Sequence, residues 1–97
     1  MQRIRVMEQS LDRASKAVED LEKALAAYRA AQPDIAMLSV YLNSDDRRRD
    51  LADDERGLLP HDLKRGVLSE DGIWNLLERD NDLRQEMQQL LTQNTNA

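Results

Sequence analysis

Four carboxylates offer the most chemistry this chain could do. Glu19 and Glu22 lie three residues apart, and Glu78 and Asp82 four apart. On two facing helices such pairs could hold Mg²⁺ and let it polarise an oxygen, as in a metal-dependent all-helical hydrolase. The same spacings also serve ion pairs along a solvated helix face, and that account fits the surrounding lysines better. The single histidine, His61, has Asp62 beside it but no serine arranged as a nucleophile. Ser39, Ser44 and Ser69 read as helix or cap residues, and His61 reads as a turn or capping residue rather than a general base. With no cysteine in the chain, disulfides and thiolate metal sites are excluded. We expect no catalytic residue, no cofactor, no resident metal and no enzymatic activity.

Arg47, Arg48 and Arg49 could touch phosphate, which would suit a nucleic-acid-associated regulator. Six acids crowd that run (Asp45, Asp46, Asp50, Asp53, Asp54 and Glu55), and the whole chain carries 14 basic against 19 acidic residues, a net charge of −5. Steering toward a polyanion or an anionic membrane needs the opposite balance. We expect neither nucleic acid nor membrane as a partner. No apolar run approaches the ~20 residues of a membrane span. Met1 to Val6 carries charge with no apolar stretch behind it, so no signal peptide is expected and the cytoplasm is the expected compartment.

Long helices must carry whatever surface the chain presents. Ile4, Met7, Leu11, Ala14, Val18, Leu21, Leu25 and Tyr28 alternate at three and four residues, four heptads with apolar a and d positions. Ser10, Ala17, Ala24 and Ala31 form a small-residue stripe beside that seam, which suits close antiparallel packing. Arg13, Lys16, Asp20 and Lys23 mark the solvent face. The pattern predicts a helix over 2–31, then a break at Pro33, which suits the first turn of a second helix over 33–42. A weakly specified polar segment over 45–56 is helix or loop and ends at Gly57. One helical turn over 60–65 is expected to stop at Gly66. A last helix over 70–91 starts from Ser69 as N-cap and frays through 92–97. Asp80 interrupts its seam and is expected to pair with an arginine of the first helix.

The chain therefore reads as one all-α domain over 1–97, a long antiparallel hairpin or bundle with short helices between two long ones. A 30-residue helix is about 45 Å long, whereas a compact globule of this length spans about 32 Å. The first helix must overhang. We expect the last helix to run along part of it and a second copy to cover the remainder. The homodimer contact would be a coiled coil using Ile4, Met7, Leu11, Val18, Leu21, Leu25 and Tyr28.

Residues 59–74 crowd two glycines, a proline, the only histidine and the only tryptophan into sixteen positions. One reading makes this a partner-binding surface, with Lys64 and Arg65 on a rigid turn and Trp74 as an apolar anchor. The other makes it a tight corner, and this is the reading the sequence favours. Gly72 stands in the first turn of a helix, where glycine costs about 1 kcal/mol against alanine. Close approach by another backbone, or by a ligand, would account for it.

That block, Leu-Pro-His-Asp-Leu-Lys-Arg-Gly-Val-Leu-Ser-Glu-Asp-Gly-Ile-Trp, follows the Ala-Ala-Gln-Pro-Asp-Ile hinge at 30–35 and the long heptad helix. Together they resemble a family of short bacterial all-helical proteins known as a domain of unknown function. The resemblance covers nearly the whole chain, to about Leu91. It implies a small cytoplasmic helical protein and supplies no activity, cofactor or catalytic residue. The carboxylates are only distantly similar to those of all-helical nucleotide pyrophosphohydrolases, which pair E-x-x-E with E-x-x-D. Here the second pair has four-residue spacing, and Glu19 falls at a heptad position facing solvent. The sequence supports a protein–protein interaction or assembly module, with that hydrolase and the nucleic-acid regulator as alternatives.

Overall fold

The structure, a computed structural model, describes residues 1–95. It is all-α, with two long helices, α1 (Gln2–Leu42) and α3 (Gly72–Thr95), a short helix α2 (Asp45–Glu55) between them, and a 3₁₀ turn at Gly66–Leu68. No strand occurs among the described residues. The chain divides into two compact units, Met1–Asp34 and Ile35–Ala97.

The first unit is helix almost throughout. Its alanines and leucines are strong helix formers and no glycine interrupts them. Lys16 pairs with Asp20 at 3.1 Å and Lys23 with Glu19 at 3.2 Å, both one turn apart, worth a few tenths of a kcal/mol each. The break expected between 31 and 33 does not occur, because Pro33 lies inside α1. A mid-helix proline forfeits the bond to the Arg29 carbonyl and costs about 3 kcal/mol. The helix outlasts that cost because Ile35, Leu38 and Leu42 are half-buried in the second unit, which anchors the turns beyond the proline. The Gln32 side chain also donates to the Tyr28 carbonyl at 3.2 Å, one turn back.

The second unit is a set of short pieces locked by side-chain caps. The Ser44 hydroxyl accepts from the Arg47 N–H at 3.1 Å and donates to the Tyr41 carbonyl at 2.7 Å. One hydroxyl thus closes α1 and opens α2. Asp45 and Asp46 sit at the positive end of α2, so the polar segment is a formed helix. Gly57, at φ +70°, ends it. There the Gly57 N–H reaches the Asp54 carbonyl and the Leu58 N–H the Asp53 carbonyl, at 3.1 and 2.9 Å, the paired bonds of a left-handed helix stop.

Residues 60–65 are not helical, contrary to the expected single turn. The Leu63 N–H closes one turn onto the Pro60 carbonyl at 3.3 Å, and Gly66 opens the 3₁₀ turn instead of stopping a helix. The reason lies in Arg65, whose guanidinium takes the Pro60 and Leu63 carbonyls at 2.7 and 2.9 Å. α3 begins at Gly72, two residues later than expected, with Ser69 Oγ accepting the Gly72 N–H at 3.1 Å. It continues through 92–95, where fraying was expected; residues 96–97 of that tail lie outside the described residues. The core is thin: Ile73, at 4% exposure, is the one buried residue among those described.

Candidate interaction surfaces

The first candidate is the heptad face of α1. Helical geometry places Ile4, Met7, Leu11, Ala14, Val18, Leu21, Leu25 and Tyr28 on one stripe. Ile4, Met7, Leu11, Val18 and Leu21 are each 58–60% exposed and Leu25 44%; Tyr28 is half-buried. The charges paired along this unit, Lys16–Asp20 and Glu19–Lys23, occupy the other side of the helix.

The second candidate is the block 59–74. Arg65 is turned inward: besides the two carbonyls above, its Nε bonds Asp54 at 2.7 Å, and its Nη1 reaches the His61 carbonyl at 3.4 Å. Lys64 instead lines a shallow hollow with Leu38, Val67, Ile73 and Leu76. Trp74, 58% exposed, lines a separate depression with Leu42, Leu77 and Asn81. Lys64 and Trp74 thus line different hollows, and Arg65 is held by bonds within the corner. Gly72 has a structural explanation: a Cβ there would stand 2.6 Å from the Gly66 carbonyl oxygen and 2.5 Å from Ser69 Oγ.

The arginine run and two of the acids have structural occupations. Arg47 donates to the Val67 and Ser69 carbonyls, both at 3.0 Å. Arg48 pairs with Asp45, and Arg49 with Asp46 at 3.1 Å. Glu19 is engaged by Lys23. Among the described residues no three His, Asp or Glu side chains converge as a metal-holding group, Glu22, Glu78 and Asp82 included. Asp80, its side chain only 14% exposed, accepts from Arg84 Nε at 3.1 Å, one turn along its own helix.

Two features escaped the sequence reading. The Tyr41 hydroxyl donates to Asp50 Oδ2 at 2.6 Å. That bond, helped by partial burial and by the carboxylate's charge, raises the phenol above its ordinary pKa. Arg47 acts as a strut across 20 and 22 residues of chain. No local signal marks either, since each bond depends on a fold that returns the partner from a distance in sequence.

Fold and surfaces together define a small all-helical protein with an exposed apolar heptad face and a side-chain-braced corner. The family described as "Domain of unknown function (DUF4298)" matches residues 4–90, and the chain belongs to it. No curated protein and no solved structure matches the chain. No helix among the described residues is long and apolar enough to cross a membrane.

Proposed function

We propose that this chain is a non-catalytic assembly module of the cytoplasm that associates with itself through the heptad face of α1. The observation that carries this reading is the exposure of the seam: five large apolar side chains, from Ile4 to Leu21, stand 58–60% open on a helical unit with no buried residue. Helices in water owe most of their stability to packing of such a face. Fully burying a Leu, Ile or Val side chain is worth about 1.5–3 kcal/mol, so a partner helix supplies what this unit lacks. The −5 net charge and the ion-paired Arg48 and Arg49 speak against a polyanion in that role.

Sedimentation equilibrium at tens of micromolar tests the reading. A mass of twice the 11.2 kDa chain is the expected result, reverting to monomer when Leu11 and Leu21 are both replaced by Asp. A monomer mass for the unaltered protein at 100 μM overturns it.

A further inference from the structure

We infer that the depression beside Trp74 is a docking site for an arginine side chain of a partner protein, the guanidinium lying on the indole and paired with Glu78. All of its lining residues belong to the second unit, so the site is independent of how α1 associates.

Two helices build it. On α3, Trp74, Glu78 and Asn81 follow one another at steps of four and three and therefore share one face. Ser39, near the end of α1, and Asn43, one residue past it, line the same hollow. Two half-buried leucines, Leu42 and Leu77, complete the lining. The hollow measures about 420 Å³, within the ~300–1,000 Å³ of small-ligand sites. Trp74 is 58% exposed and so leaves much of its indole open to a ligand.

The groups on its wall select a planar cation. Indole attracts cations more strongly than any other side-chain ring, through its negative face. Glu78 stands one helical turn from Trp74, a spacing that sets β-carbons about 5–6 Å apart. A guanidinium stacked on the ring can therefore turn its in-plane N–H groups to the carboxylate. The side-chain oxygens of Ser39, Asn43 and Asn81 supply further acceptors. Ser39, Asn43, Glu78 and Asn81 have no side-chain hydrogen bond or ion pair within the described residues, whereas Arg47, Asp54, Arg65 and Asp80 of the same unit are all engaged. No lysine or arginine lines the depression, which disfavours an anion and leaves the α-carboxylate of free arginine unmet. An arginine within a polypeptide carries no such group. Lysine fits less well, because its ammonium is more strongly hydrated and lacks the planar fork. The net charge of −5 favours the approach of a basic partner.

Trp74 is the only tryptophan of the chain, so its fluorescence reads the site directly. The probe is a Gly-Arg-Gly peptide capped at both ends. Its control, at equal ionic strength, is the same peptide with citrulline, neutral and nearly identical in shape. The arginine peptide should change the Trp74 emission saturably at millimolar concentrations and move the side-chain amide resonances of Asn43 and Asn81. The citrulline peptide should do neither. Glu78→Gln should weaken the arginine response several-fold, whereas Glu86→Gln, the same charge change on another face of α3, should leave it unaltered. Equal responses to the two peptides would overturn the cation as ligand. Equal weakening by the two variants would overturn the site in favour of general attraction to an acidic chain. An emission unchanged up to tens of millimolar arginine peptide would overturn it outright.

Discussion

The carbonyl oxygen of Gly66 and the α-carbon of Gly72 pass so closely that a β-carbon on Gly72 would lie 2.6 Å from that oxygen. The 3₁₀ turn and the first turn of α3 are pressed together at this point, and Ser69, between them, bonds both: its Oγ donates to the Gly66 carbonyl at 2.8 Å and accepts the Gly72 N–H. Alanine at position 72 would gain about 1 kcal/mol in helix propensity, yet the clash is with backbone, which cannot swing aside as a side chain can. Gly72→Ala should destabilise the second unit by about 1–3 kcal/mol. Urea unfolding followed by Trp74 fluorescence would measure this, and a stabilised variant would show that the approach is looser than described.

Arg47 also holds the corner, through the Val67 and Ser69 carbonyls. Removing it exposes two acceptors that water can partly satisfy, so Arg47→Ala should cost about 1–2 kcal/mol. Arg47→Lys should recover less than half of that, because one ammonium lacks the planar fork that spans two carbonyls. Full recovery by lysine in the same unfolding experiment would reduce Arg47 to a simple charge.

Tyr41 and Asp50 predict a dependence on alkaline pH. The bond holds the phenol proton beyond its ordinary value of 10.0. Its stabilisation is therefore complete below about pH 10 and is lost as the pH rises through the raised folded-state value. Tyr41→Phe should lose about 1 kcal/mol at pH 8, with the gap to the unaltered protein closing as the pH climbs past 10. A gap that stays constant to pH 11.5 in parallel urea titrations would contradict the assignment.

Pro33 predicts a gain. It sits inside α1, exposed, with Ala30, Ala31 and Ala36 within one turn of it. Pro33→Ala should restore the bond to the Arg29 carbonyl and stabilise by about 2 kcal/mol, after allowance for the freer unfolded chain. Thermal melting followed by helical circular dichroism should move up by roughly 10 °C. A lower midpoint would mean that the proline ring contributes contacts of its own.

The helices were legible where their signal is periodic. The heptads from Ile4 to Tyr28 specify α1, and Ser44, Gly57 and Ser69 mark ends that the structure realises with the expected cap bonds. The errors fall where a local rule met a distant contact. Pro33 is a sound stop signal, but the half-buried Ile35, Leu38 and Leu42 beyond it keep the helix going. The turn at 60–65 has helix-like punctuation, yet Arg65 takes the carbonyls that a helix would pair. Of the block 59–74, the sequence flagged Gly72 as needing a close neighbour but could not say which. Nor could it say that Arg65 is engaged by Asp54 and the carbonyls of its own corner.

By itself the sequence determined the all-helical class, the apolar stripe of α1 and most helix ends, because periodicity, capping and glycine stops act over one or two turns of chain. The tertiary structure alone decided that Arg47 and Arg65 brace a corner, that Tyr41 bonds Asp50, and that the Gly66 carbonyl is what Gly72 accommodates. Those pairings depend on how the short elements fold back on one another. Hydrogen bonds and steric contacts are felt only over a few ångströms, so no spacing rule along the chain can announce them.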